Sequence, residues 1–249
     1  NIEKYQLTIL QLLIKGVLAS WLSVIKVHGI IPSKRQNQIF VSNHSTLIDW
    51  VVLFSFKPFC VIGQLQTSKK LILFFQTKLL KSLKCIWFNR SDHKDRELVK
   101  KRMIQHVSDK TNPRLLIFPE GTCVNNHYIV RFQKGAFDIS DDIEICPVSI
   151  KYDKTFVQAY WISRDRSFFM HLIDIMSSFA LVVDIRFMEP QKRDTINNET
   201  PIQFANRIKT LIAKSAKLIN TDWNGYMKHY KPSERIIDTQ RQIIGKRIQ

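Results

Sequence analysis

Short apolar runs recur along the chain, separated by longer stretches whose apolar positions return every three to four residues. The short runs predict strands at Gln38 to Ser42, Phe59 to Gln64, Cys85 to Phe88, Arg114 to Phe118, Ile143 to Lys151 and Leu181 to Phe187. Helical spacing predicts helices over Leu47 to Phe56, Thr67 to Leu83, Asp95 to Lys110 and Arg164 to Phe179. A last helix over Thr200 to Leu218 has Pro201 in its first turn and its apolar positions at Ile202, Ala205, Ile208, Ile212 and Ala216. Such alternation implies an α/β fold with a largely parallel sheet flanked by helices.

Two stretches are more apolar than the rest. Leu7 to Ile31 is interrupted by Gln11, Lys15, Lys26 and His28. A lysine near the centre of a bilayer is costly, so a shallow or re-entrant amphipathic segment in the headgroup layer fits better than a span. The stretch has no cleavage site of small residues after a compact apolar core, so it is not a signal peptide, and with no initiating Met the chain is expected to lack upstream sequence. Phe168 to Phe187 carries His171, Asp174, Asp184 and Arg186, which predicts a buried helix followed by a strand. The domain reading is therefore a membrane-associated segment over 1–33, one folded domain over 34–225 and a basic tail over 226–249. No linker, repeat or low-complexity tract divides the middle part.

The net charge of +17 calls for an anionic partner, either nucleic acid or a membrane surface. Twelve Lys/Arg against four Asp/Glu lie between Lys69 and Lys110, around the apolar runs Leu71 to Phe75 and Leu79-Leu80. Basic residues around such a face suit a helix at an anionic bilayer, although a solvated basic face over a core helix has the same composition. Nucleic acid is disfavoured, because the chain has no RNP, zinc-finger or basic-zipper signature. Its four cysteines form neither C-x-x-C pairs nor a His/Cys ligand cluster, which argues against a disulfide framework or a metal site and for a reducing, cytosol-facing environment.

Candidate chemistry begins at Asn43-His44-Ser45-Thr46-Leu47-Ile48-Asp49. Residues five apart on a regular helix point about 140° away from each other, so His44 and Asp49 meet only if His44 lies just before the helix. Ser45 or Thr46 would then cap that helix. Asp49 would hold one ring nitrogen protonated and leave the other to accept a proton from a hydroxyl. Alone, the spacing is more often that of a structural histidine at a strand end than of a catalytic one.

Three further blocks follow in order: Cys85-Ile86-Trp87-Phe88-Asn89-Arg90, Phe118-Pro119-Glu120-Gly121-Thr122-Cys123-Val124-Asn125-Asn126, and Cys146-Pro147-Val148-Ser149-Ile150. With the histidine block they resemble the four motifs of the glycerolipid acyltransferases. The tracts Glu120 to Asn126, Trp87 to Ser91 and Gln203 to Arg207 resemble the eukaryotic microsomal glycerol-3-phosphate acyltransferase branch in particular. The resemblance covers about residues 40 to 225.

The resemblance implies transfer of an acyl chain from acyl-CoA, a co-substrate, to the sn-1 hydroxyl of glycerol 3-phosphate, with no cofactor. It implies an endoplasmic reticulum membrane setting, an active site facing the cytosol, and membrane-spanning segments upstream. His44 is then the catalytic base and Asp49 its orienter. Arg90 is the phosphate fork. Glu120, Gly121 and Thr122 belong to the acceptor site, with Glu120 orienting Arg90, Lys134 or a glycerol hydroxyl. The Gly121 amide can point at phosphate. Lys134, in Arg131-Phe132-Gln133-Lys134-Gly135-Ala136-Phe137, is the second cation for the phosphate, ahead of Arg131. Pro147 is structural. Cys123 is a packing residue, with a nucleophilic role the alternative. Many relatives acting on lysophosphatidate have arginine at that position, so Cys123 points away from that acceptor. A lysophosphatidate or other lysophospholipid acyltransferase is the alternative within enzymes. A catalytically idle lipid-binding relative ranks last, because His44 and Asp49 are both present.

Overall fold

The computed structural model describes residues 2–64, 83–88, 93–162 and 166–225. Seven strands form the main sheet: β1 (Val24–His28), β2 (Gln38–Ser42), β3 (Phe59–Gln64), β4 (Ile86–Phe88), β5 (Arg114–Ile117), β7 (Glu144–Tyr152) and β8 (Val182–Phe187). Their order across the sheet is β1-β8-β7-β2-β5-β3-β4. Strands β7, β2, β5, β3 and β4 run parallel, whereas β8 is antiparallel to β7 and β1 runs parallel to β8. Two short strands, β6 (Tyr128–Ile129) and β9 (Ile219–Asn220), pair beside it.

Strand β2 sits at the centre and every residue of it is buried. Its apolar residues therefore serve two cores, as a parallel strand covered on both faces requires. Phe40 packs with helices α1 (Ile2–Ser20) and α2 (Ile48–Phe54) through Leu18, Val52 and Leu53. Ile39 and Val41 pack with α3 (His93–Ser108) and α5 (Pro201–Ala216) through Met103, Phe204, Ile208 and Ile212. Helix α5 starts with a reciprocal capping box between Thr200 and Gln203, has Pro201 at the first turn, and ends at Lys217 in the left-handed region. Among its predicted apolar positions Ile202 is exposed, and Phe204 takes its place in the core.

The predicted α/β class and parallel sheet are present, but the amino-terminal region differs from expectation. The apolar stretch is a helix followed by a strand: Ile14 and Leu18 of α1 and Trp21 just after it enter the core, and β1 pairs residue for residue with β8 from Val24↔Val182 to His28↔Arg186. Residues on either side of position 33 thus contribute to the same sheet. Alternation of apolar with charged positions in Val24 to His28 is an edge-strand pattern, hidden by the apolar residues before it. Among the described residues, no helix is long and apolar enough to cross a membrane. Helix α4 (Phe168–Met176) is shorter than predicted, and it is not buried: only His171 and Ile175 are. The helix expected over Thr67 to Leu83 falls, Leu83 apart, outside the described residues, as do Arg90 and the tail over 226–249.

Because β5, β2 and β7 are parallel neighbours, their carboxyl ends lie side by side. The loop after β2 carries His44, the loop after β5 carries Glu120 to Asn126, and β7 ends at Tyr152. Groups up to a hundred residues apart in sequence are gathered there, at the edge where open α/β sheets form their sites.

Candidate active site

Helix α2 begins at Ile48, with Leu47 in the capping position and no side-chain cap. Ser45 and Thr46 do not cap the helix. Their backbone N–H groups instead donate to Asp49 Oδ2 at 2.7 and 3.1 Å. The chain before the helix thus folds back over its first turn and brings His44 Nδ1 within 2.9 Å of the same oxygen. The other oxygen, Oδ1, accepts from the Tyr152 hydroxyl at 2.5 Å. Asp49 is fully buried, and four donors fix it before any substrate arrives. Burial first, and then Asp49, push the Tyr152 hydroxyl well above its ordinary pKa, so it remains a donor to that carboxylate.

With Nδ1 protonated toward Asp49, Nε2 is the acceptor nitrogen. Phe118 stacks on the ring, with centroids 4.2 Å apart and planes 20° from parallel. The Cys123 sulfur stands 3.4 Å from Nε2. Burial disfavours the imidazolium, but the Cys123 sulfur and then Asp49 outweigh it and raise the His44 pKa to about 10. Cys123, expected as a packing residue, therefore lies against His44 Nε2.

The loop after β5 grips the histidine peptide at both ends. Glu120 Oε1 accepts the His44 N–H at 2.7 Å, and the Val124 N–H donates to His44 O at 2.7 Å. Glu120 Oε2 accepts the Val130 N–H at 3.0 Å. Burial pushes its carboxyl up to about 8 against the pull of those N–H bonds. The bonds Glu120 makes among the described residues are thus inward, to the backbone. Gly121, at φ +67°, donates its N–H to Phe118 O at 3.1 Å, so the amide closes the turn. A left-handed residue is needed there, which explains the glycine.

Two asparagines lock both loops to β7. Asn43 bonds both the C=O and the N–H of Ile150, at 2.9 Å each. Asn126 donates to Tyr152 O at 2.5 Å, and its carbonyl oxygen accepts from Tyr152 N at 3.3 Å. Thr122 packs toward Gly225, where an added Cβ would come within 2.7 Å of its methyl group. Lys134 lies in a 3-10 turn over Lys134–Ala136, beside the loop because Gln133 N–H donates to Pro119 O. Its ammonium is largely exposed and reaches Asp138 at 3.6 Å. Arg90 lies outside the described residues. Sequence reasoning missed Tyr152, Phe118 and the place of Cys123. The aromatic residue that ends β7 was the available signal for the first.

Residues 24–151 match the profile of the acyltransferase family. Among curated proteins, the chain is 35% identical over 226 residues to glycerol-3-phosphate acyltransferase 4 of Homo sapiens, covering 91% of this chain and 48% of the relative. It is 37% identical over 210 residues to human glycerol-3-phosphate acyltransferase 3, covering 84% of this chain and 47% of the relative. The chain thus spans about half the length of the curated relatives it matches. The crystal structure of a 1-acyl-sn-glycerophosphate acyltransferase from Thermotoga maritima superposes with a TM-score of 0.61 at 17% identity, covering 86% of this chain and 80% of that one. That likeness concerns the fold.

Proposed function

The chain belongs to the acyltransferase family, and from that premise we propose that it moves a fatty acyl chain from acyl-CoA to the sn-1 hydroxyl of glycerol 3-phosphate, giving lysophosphatidate. The observation that carries the reading is the His44–Asp49 pair, held at 2.9 Å with Nε2 facing the Cys123 sulfur at 3.4 Å. The acceptor hydroxyl displaces that sulfur. Doing so removes the strongest contact that raises the pKa of the ring, which lowers its hold on a proton where a base is needed.

The hydroxyl proton passes to Nε2 as its oxygen bonds the thioester carbonyl carbon. The tetrahedral intermediate then breaks its C–S bond, and the coenzyme A thiolate leaves with the proton from the imidazolium. Asp49, through Nδ1, stabilises the imidazolium between these two steps. Acyl-CoA is a co-substrate, and the scheme needs no cofactor. Arg90 and the exposed Lys134 supply the positive charge for the phosphate; Gly121 and Thr122 shape the loop around the acceptor, and Glu120 holds that loop on the histidine peptide.

The amphipathic α1, with Ile9, Leu12, Leu13 and Val17 exposed, supports attachment to a membrane, which we assign to the endoplasmic reticulum with the site on the cytosolic side. A donor of this kind keeps its tail in lipid while its thioester reaches His44. Binding to anionic vesicles should weaken with salt without vanishing, since apolar insertion is not screened.

The test is to supply the membrane-reconstituted protein with labelled acyl-CoA and, separately, glycerol 3-phosphate, lysophosphatidate and lysophosphatidylcholine. Labelled lysophosphatidate from the first acceptor is the expected product. Turnover of a lysophospholipid with none of glycerol 3-phosphate overturns the assignment.

A further inference from the structure

Helix α4 faces two ways. On its inner side His171 is buried, with Nε2 2.9 Å from the Thr46 hydroxyl, and Thr46 in turn donates its N–H to Asp49. Ile175 joins the core beside it. On the outer side Phe169, Ile173 and Met176 follow one another at helical spacing, and Phe179 comes just after the last turn. Phe169 is 70% and Phe179 78% exposed. Phe156, from the turn after β7, stacks on Phe179 with ring centroids 6.4 Å apart. Large aromatic and sulfur-bearing side chains grouped in this way on a folded surface mark a contact with something apolar.

The same patch runs on to α1. Val24 N–H, just after that helix, donates to Leu181 O at 2.8 Å, so the exposed Leu22 lies next to the turn that carries Phe179. Basic residues flank the patch along the chain: Lys154 two residues before Phe156, and Arg166 before the start of α4. The single acid on α4, Asp174, is answered by Arg166 at 3.8 Å. An apolar face flanked by cations, in a chain of net charge +17, has the chemistry of an anionic bilayer surface, with rings among the acyl chains and ammonium groups among the headgroups.

We propose that α4 is a second membrane foothold, seated with α1 in the headgroup layer of an anionic bilayer. This rests on the reading of the protein as membrane-bound and deepens it. Both footholds pack on one core, through Ile14 and Leu18 of α1 and Ile175 of α4, so together they define a plane where one helix alone would leave the protein free to roll. Through His171 and Thr46 the second foothold is bonded to the catalytic loop, which fixes the height of His44 above the lipid.

The test compares the full chain with a Phe169→Ser/Met176→Ser/Phe179→Ser variant in flotation with phosphatidylcholine/phosphatidylserine vesicles, and on turnover of a long-chain and a water-soluble short-chain acyl-CoA. All three positions are exposed, so near-ultraviolet circular dichroism should be unchanged. Vesicle affinity is expected to fall about tenfold or more, with long-chain turnover falling and short-chain turnover retained. A Lys154→Glu variant should weaken binding at low salt and match the parent at high salt. Vesicle binding by the parent that the triple variant fully retains overturns the foothold and leaves the membrane reading in place. A parent that ignores vesicles defeats both. A parent dimer that becomes monomeric in the triple variant, with vesicle binding intact, assigns the patch to a second copy of the chain instead.

Discussion

The loop carrying His44 and the turn carrying Lys134 lie on either side of the segment from Pro119 to Val124, yet they are held in opposite ways. The His44 peptide is bonded at both ends, its ring is stacked and hydrogen-bonded, and the Asp49 behind it has four donors. Lys134 extends into solvent with one loose ion pair. On the proposed reading the groups for proton transfer are fixed by these bonds, whereas Lys134, proposed for the phosphate, is held by one contact at the surface. Preorganisation of that kind guards rate, and a loosely held cation bears on affinity.

The sharpest way to break this contrast is His44→Ala. Turnover should fall roughly a hundredfold to ten-thousandfold with the melting temperature nearly unchanged, the range for losing a general base. Near-parental turnover in a folded variant would remove His44 from the chemistry. For the phosphate, Arg90→Ala should raise the Michaelis constant for glycerol 3-phosphate roughly ten- to a hundredfold and leave that for acyl-CoA close to its starting value, as loss of a charge-assisted contact worth about 1.5–3 kcal/mol requires. Arg90→Lys should restore only part, because an ammonium cannot form the planar fork. Lys134→Ala should act in the same direction and less. Equal effects on both substrates would move these cations away from the acceptor.

Glu120→Gln probes the rigid side without touching the base. An amide can accept at one oxygen, so either the His44 or the Val130 N–H loses its partner, and stability should drop by about 1–3 kcal/mol in urea unfolding. An unchanged midpoint would show that the carboxylate is dispensable to the loop. The finest probe is Cys123→Ala. Activity should rise with pH as His44 gives up its proton, with a midpoint well above the ordinary 6.5 because the ring pKa is raised toward about 10. Removing the sulfur takes away the largest raising contact, so the acid limb of kcat/KM should move to lower pH. An unmoved limb would mean that another group titrates.

The pairing of His44 with Asp49 was legible because it is local: five residues and a helix start define it. Tyr152 is 103 residues from Asp49 and Cys123 is 79 from His44. Only the adjacency of parallel strands brings them together, and no spacing in the sequence encodes it. The glutamate block was legible as a site but not in its roles, since a carboxylate bonding backbone N–H groups and one bonding a ligand have the same sequence. The strands and helices of the central sheet followed from periodicity. Strand β1 did not, because apolar residues on an edge strand and on a membrane-seated segment have the same composition. The same ambiguity hid the outer face of α4, which shares its residue types with a buried helix.

Strand β1 has a bearing on how the protein is cut. It covers the free edge of β8, and every residue of β1 has a partner there. A deletion that starts at Pro32 would strip that cover and uncover a row of unpaired N–H and C=O groups beside Phe179, a ready template for another chain to add a strand. The expected product is self-associated protein, whose loss of vesicle binding would have nothing to do with lipid. Mapping of the membrane contact therefore belongs to point changes on the outer faces of α1 and α4, with the edge of the sheet left sealed.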